Sequence, residues 1–358
     1  MKGICVRSEI KPLKKVLLHR PGRELLHLTP DRLPELLFDD IPFLKVAQQE
    51  HDAFAQILRS NGTEVVYLED LMTEVLKLHP ELTKPFIYQW LSEGNIKTRR
   101  WQDKLYEYLI GNFEGKALVE KTMEGITLKE MGGASAYSLQ DLIAPADDLI
   151  VDPMPNLYFT RDPGACVGNG INIHRMHTPA RKRESLLLKY MYLYNRDFAT
   201  EENKQWYDLS DSYSIEGGDV LVLSKDIVAV GLSQRTTVSG AENFARNLLQ
   251  NSGFKKVLAF DIPETRAFMH LDTVFTMVDY DKFTIHPEIE GPLSVYEMML
   301  DEHGELKFAA LKDELKDILA LELKLPAVDL IRCGGGDLMA AQREQWNDGS
   351  NTLCIAPG

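Results

Sequence analysis

His270 and Asp272 stand two residues apart in MHLDTVFTMVD. A histidine moves protons near neutral pH, and a neighbouring carboxylate can orient its ring or hold a cation. In a strand the two side chains would project from one face. On the pair alone, a solvated histidine beside a chance aspartate is the plainer reading. Glu216-Gly217-Gly218-Asp219 adds carboxylates around glycines, which permit an unusual turn and a close backbone approach to a ligand; an ordinary hairpin turn fits equally well. Asn156 to Asp162, NLYFTRD, gathers an amide, an aromatic ring, an arginine and a carboxylate. Such a set suits a planar cation that pairs with the acid and stacks on the ring. A surface pair of Arg161 with Asp162 is the alternative. Arg181 in HTPARKRE and Arg235 in GLSQRTT could each take a substrate carboxylate in bidentate fashion, although most arginines are simply solvated.

Other groupings are weaker. His174-Arg175-Met176-His177 could offer two zinc ligands, but it does not follow HExxH and no third ligand accompanies it, so supporting histidines are the better reading and no metal is expected. Gly334-Gly335-Gly336-Asp337 lacks the Lys-Ser or Lys-Thr of a phosphate loop and reads as a turn beside the site. The four cysteines, Cys5, Cys166, Cys333 and Cys354, are far apart, so neither a disulfide framework nor a zinc ribbon is indicated.

The elements that must position these residues follow from the pattern. Lys15–His19 reads as a strand closed by Arg20-Pro21-Gly22, Phe43–Ser60 as a helix ended by Asn61-Gly62, and Glu64–Leu68 as a second strand. From Leu71 to about Leu142 amphipathic helical segments dominate, the mark of a helical insertion. Strand signals return at Leu149–Val151, followed by three similar modules around Asp162, Glu216 and Asp272. Each reads as strand, tight turn, strand, with a carboxylate at the end of the first strand. Steps of 54 and 56 residues between those carboxylates suggest units repeated about an axis, on which the acids would converge. Helices fall between them from Ala180 and Gly240, and a fourth unit is expected at Arg332–Asp337.

Composition bounds the function. The chain has 358 residues, 44% hydrophobic and 26% charged, and a formal charge of −14. That charge repels phosphate backbones, so nucleic acid is not an expected partner, and it mildly favours cationic small molecules. No apolar run is long enough to cross a membrane and no signal peptide opens the chain, which makes the cytoplasm the expected location.

Taken together, NLYFTRDP, HTPARKRE, SIEGGD, GLSQRT, MHLDTVFTMVD and GGGDLMAAQREQWNDGSN resemble the arginine deiminases of the guanidino-group-modifying superfamily, along essentially the whole chain. The resemblance implies a five-bladed pseudo-symmetric α/β propeller, incomplete at the C-terminus, formed by residues 1–70 and 147–358, with a helical insertion domain over 71–146. It implies hydrolysis of L-arginine to citrulline and ammonia through a cysteine amidino-thioether, without cofactor; a homo-oligomer is compatible with it. Position by position, His270 matches the general acid/base, Glu216 its support, Asp162 and Asp272 the carboxylates on the guanidinium. Arg181 and Arg235 match the clamps on the α-carboxylate, and Asn156 and Phe159 line the pocket. The nucleophilic cysteine of the resemblance lies in a glycine-rich loop beyond Ala356-Pro357-Gly358, and none of the four cysteines matches it. The expectation is therefore a fragment or truncated product without turnover of its own. A silent arginine-binding fragment or pseudoenzyme is the alternative from another class, and an amidinotransferase or a dimethylarginine hydrolase the neighbouring enzyme readings.

Overall fold

The structure is a computed structural model that describes residues 3–132, 148–291 and 293–357. The chain forms two compact units, one of Lys15–Thr160 with Thr178–Ala199, the other of Met1–Lys14, Arg161–His177 and Thr200–Gly358.

The first unit is mostly helical. β1 (Lys15–Leu18) and β2 (Glu64–Tyr67) pair in parallel, joined by the helix Leu44–Ser60. That helix ends where the sequence places its end: Asn61 is the C-cap and Gly62 takes φ 81, a left-handed conformation open to glycine. The second strand is shorter than expected, because Leu68 already begins a helix, Leu68–Leu78, whose first turn carries Glu69 and Asp70 where the helix dipole favours acids. Helices Thr83–Glu93, Arg99–Asn112 and Gly115–Glu124 follow, as the amphipathic pattern predicts. The part of the expected insertion over 133–146 lies outside the described residues. β3 (Ile126–Thr127) and β4 (Leu149–Val151) pair antiparallel, and the buried helix Lys182–Tyr194 completes the unit.

The second unit repeats one motif three times. β5 (Gly164–Val167) and β6 (Gly170–Ile173) form a hairpin, and β7 (Lys204–Tyr207) lies parallel to β6. β8 (Val220–Val222) and β9 (Ile227–Leu232) form the next, with β10 (Lys256–Asp261) parallel to β9 after the helix Val238–Asn251. β11 (Phe275–Asp279) and β12 (Lys282–Ile285) form the third. Between β12 and its parallel partner comes an extra hairpin, β13 (Ser294–Leu300) with β14 (Leu306–Leu311), which extends the β10 edge, and the helix Leu315–Leu323. β15 (Asp329–Arg332) then pairs with β12. The central sheet is buried on both faces, so alternate residues enter different cores. Val228, Val230, Val257 and Ala259 pack with Phe244 and Leu248 of the helix, whereas Ile227, Ala229, Leu258 and Phe260 pack with Phe275 and Phe283.

Two expectations are corrected here. The three carboxylates do not end strands; Asp162 lies in a turn, Glu216 directly precedes a single 3-10 turn, Gly217–Asp219, and Asp272 sits within another, Leu271–Thr273, each ahead of its hairpin. Arg332–Asp337 is not a fourth such module. Gly334 and Gly335 take φ 60 and 62, and Asp337 caps the following helix, Leu338–Trp346, accepting from the Ala340 amide at 2.8 Å. Among the described residues no helix is long and apolar enough to cross a membrane.

Candidate active site

His270 and Asp272 do not share a strand face, since His270 is an extended residue (φ −139, ψ 161) at the entrance of the 3-10 turn that carries Asp272. The two remain near enough for the His270 charge to act on the Asp272 carboxyl. Glu216 is fully buried; its Oε1 accepts the His177 amide at 2.9 Å and its Oε2 faces His270 Nε2 at 2.9 Å. The two glycines after Glu216 are needed for this approach. A Cβ on Gly217 would stand 1.9 Å from the Arg161 carbonyl oxygen, and one on Gly218 would stand 2.7 Å from the His270 ring. No rotamer relieves a clash with backbone or with a buried ring, so neither position accepts a side chain.

Asp219, the last residue of the EGGD segment, is fully buried. Its Oδ2 accepts the hydroxyls of Ser233 at 2.7 Å and Thr236 at 2.6 Å, and its Oδ1 accepts the Leu271 amide at 2.8 Å. It thus fixes both the loop bearing Arg235 and the segment bearing His270. Buried Arg235 donates its amide to the Ser233 hydroxyl at 3.0 Å. Half-buried Arg161 donates to the carbonyls of Gly217 and Val220 and to Glu9 at 3.3 Å, and its Nε lies 3.7 Å from Asp272. Buried His174 donates Nδ1–H to the Asp162 carbonyl at 2.7 Å.

Electrostatics follow from this crowding. Burial alone would depress the His270 pKa, but Asp162, Glu216 and Asp219 outweigh it and hold the imidazolium up to about 10. Burial pushes the Asp272 carboxyl up to about 7, with Arg161 and His270 opposing and Asp162 adding to the rise. Burial likewise raises Asp219 to about 6 against His270 and its three donors. Among the described residues, the cations beside Asp162, Glu216, Asp219 and Asp272 include His270 and Arg161. They do not offset the burial of Asp219 and Asp272, whose carboxyls stay raised.

The other expected residues lie in the helical unit. Asn156, buried on a 3-10 turn, donates its amide to the Leu36 carbonyl at 2.8 Å. Phe159 is 42% exposed with its ring against Tyr158. Arg181 is buried, gripped by Glu184 through Nε at 3.1 Å and Nη2 at 2.8 Å, and also reaches the Asn156 carbonyl. Of the cysteines, Cys354 donates to the Ala356 carbonyl at 3.0 Å, and burial raises its pKa and that of Cys333, the reverse of what an activated thiol requires. Sequence reasoning did not anticipate the parts of Glu9, Asp219 and His174. The two acidic ends of EGGD could have flagged Asp219, whereas nothing local marks Glu9.

Comparison with known proteins places the chain. A family model described as arginine deiminase matches residues 34–358. An arginine deiminase from Treponema denticola is 50% identical over 361 residues, covering 100% of this chain and 88% of that protein. One from Streptococcus pyogenes is 53% identical over 358 residues, 99% of this chain and 87% of that protein. An amidinotransferase structure from Microseira wollei is 13% identical and covers 99% of this chain and 84% of that one, but with a TM-score of 0.47 the likeness carries no weight.

Proposed function

The chain belongs to the arginine deiminase family and is a hydrolase acting on arginine, and from that premise we propose that His270, Glu216, Asp162 and Asp272 carry its reaction, in which L-arginine and water give L-citrulline and ammonia. Identity of 50 to 53% along nearly the whole chain favours the enzyme over a silent arginine binder.

One observation carries the assignment of residues: a buried histidine held from one side by Glu216 at 2.9 Å, beside the buried carboxylates Asp162, Asp219 and Asp272. A guanidinium cation suits such a group of acids. Asp162 and Asp272 accept its N–H groups and hold it planar, which makes attack on its central carbon close to unimolecular. Arginine's guanidinium resists attack because its charge is delocalised, so a strong nucleophile is required, and a thiolate supplies one. The thiolate adds to the carbon, His270 gives a proton to the departing ammonia, and an amidino-thioether remains. Water then adds, His270 takes its proton, the thiolate leaves and citrulline is released. None of Cys5, Cys166, Cys333 or Cys354 is proposed as that thiol.

Substrate binding also tunes the acid. A bound cation beside Asp162 weakens the field that raises His270, and so moves its pKa from about 10 towards the neutral range, where one group can both give and take a proton. Arg235 and Arg181 are assigned to the substrate α-carboxylate, and Asn156 and Phe159 to the pocket. The repeated hairpin-helix-strand order supports blades of a five-bladed α/β propeller with residues 71–146 as an inserted helical domain. Agmatine, which lacks the α-carboxylate, tests the orientation. Calorimetry should show it binding far more weakly than arginine, because it offers no carboxylate to the two guanidinium groups; comparable affinities would overturn the assignment.

A further inference from the structure

We propose that His174 is a positioning residue, one that holds the Asp162 turn in the geometry that grips the guanidinium; the inference rests on the role proposed for Asp162.

His174 is fully buried, directly after β6. Its Nδ1 lies 2.7 Å from the main-chain oxygen of Asp162. A carbonyl oxygen only accepts, so the ring proton must sit on Nδ1. Burial pulls the ring pKa down to about 4, against the pull of Asp162 and Glu216, and His174 is therefore neutral while His270 is charged. A neutral ring can fix the carboxylates without adding positive charge beside the acids that draw the substrate. A lysine or arginine in its place would hold the same oxygen and cancel the attraction.

The Asp162 carbonyl also accepts the Gly217 amide at 3.0 Å. One oxygen thereby joins the turn of the first repeat to the EGGD turn of the second, with the imidazole as the other tie. The ring also packs close to Gly217, where an added Cβ would come within 3.2 Å of His174 Cε1. Three residues on, the His177 amide holds Glu216 Oε1 at 2.9 Å. The short segment after β6 therefore fixes a substrate-gripping acid through a side chain and the partner of the proton shuttle through its backbone. Removing the imidazole leaves the second tie intact, so the fold should survive while the Asp162 turn loosens.

The test uses the full-length protein with three substitutions. His174→Phe keeps a planar ring and loses the donor; His174→Asn keeps a donor at a similar reach. Loss of one buried hydrogen bond of about 1.4 kcal/mol corresponds to about tenfold. His174→Phe should weaken arginine binding by about that factor in calorimetry and lower the His270 pKa read by NMR of ring-labelled histidine, with little change in melting temperature. His174→Asn should restore both. A purely structural role would lower the melting temperature and leave the His270 pKa where it was. Unchanged affinity and unchanged His270 titration in a folded His174→Phe protein would overturn the proposal, as would an asparagine variant no better than phenylalanine. Asp162→Asn separates the premises: if it binds arginine normally, the role of Asp162 fails, whereas if it alone loses binding, only the role of His174 fails. Should His174→Phe not fold, the wild-type ring resonances decide. An Nδ1–H tautomer that stays neutral from pH 5 to 8 and shifts when arginine is added supports the proposal, and an Nε2–H tautomer or no shift overturns it.

Discussion

Each of the two units holds a buried histidine between carboxylates, and the pair behaves differently. In the helical unit His19 Nδ1 meets Glu69 at 3.1 Å and Nε2 meets Glu24 at 3.1 Å. In the other, His270 Nε2 meets Glu216, and Nδ1 has no hydrogen-bond partner among the described residues. Burial opposes the charge in both, and the acids prevail in both, raising His19 to about 9 and His270 to about 10. A raised histidine pKa is therefore not what distinguishes a proton shuttle. His19 has no nitrogen left to give or take a proton, and its neighbour Glu69 is held low by that contact in spite of burial. His270 keeps a nitrogen in hand, and burial holds its neighbours Asp272 and Asp219 raised in spite of the cations and donors around them. One histidine is paired at both nitrogens and supports a fold; the other keeps one for chemistry.

The sharpest way to break this contrast is to delete each ring. In an enzyme form that also supplies the thiol, His270→Ala should lower citrulline formation by about 10²–10⁴-fold. His19→Ala should leave turnover per folded molecule nearly intact but lower stability by about 3–5 kcal/mol, since Glu24 and Glu69 would then lose the cation they share in the interior. Urea melts and citrulline assays on both proteins decide, and a His270→Ala enzyme with near-normal turnover ends the assignment. The next effect is a pH dependence. A folded pKa of about 9 against 6.5 unfolded means that the His19 clamp stabilises fully below pH 6.5 and is lost as pH rises through 9, on the order of 3 kcal/mol. His270 adds a loss in the same direction, spread between 6.5 and about 10. Melts from pH 6 to 10 should fall steeply in the wild type and less in His19→Gln; parallel curves would remove the clamp from the account.

Asp272 has the opposite sense for an acid. Its folded pKa of about 7 lies above the usual 3.8, so the folded state favours the protonated form, and that stabilisation present at low pH disappears as pH rises through 7. Asp272→Asn should therefore stabilise the protein by roughly 0.5–2 kcal/mol at pH 8, little at pH 4, while losing arginine binding. Equal effects at both pH values would contradict a raised Asp272 pKa. The smallest signal is a proton count. Arginine binding at pH 7 should expel a fraction of a proton as the guanidinium ionises Asp272, seen as a buffer-dependent enthalpy in calorimetry that Asp272→Asn abolishes.

Much of this was legible in the sequence because it depends on local pattern. The helix Leu44–Ser60 and its Asn61-Gly62 end, β4, and the spacing of Asp162, Glu216 and Asp272 all follow from periodicity and turn chemistry. The placement of those acids on turns ahead of hairpins was not legible, since an extended residue before a 3-10 turn has the same composition as a strand end. Contacts between distant segments were also hidden. Glu9 meets Arg161, His19 meets Glu69, and Asp219 meets Leu271, and no spacing rule links such positions. Asp219 reads as one more turn aspartate until burial makes each of its bonds obligatory.

The three hairpin-helix-strand repeats have a consequence for how the molecule is made. The hairpin of each repeat closes its hydrogen bonds over a short stretch of chain, so each hairpin can begin to form as it leaves the ribosome, with little loop entropy to overcome. The acids come one from each repeat, through Asp162, Glu216 and Asp272, and exist as a group only when all three repeats have docked. A nascent chain is thus able to fold in parts but unable to bind in parts. Arginine, by engaging only the docked state, would then act on the last step of assembly and protect the final joints between repeats from opening.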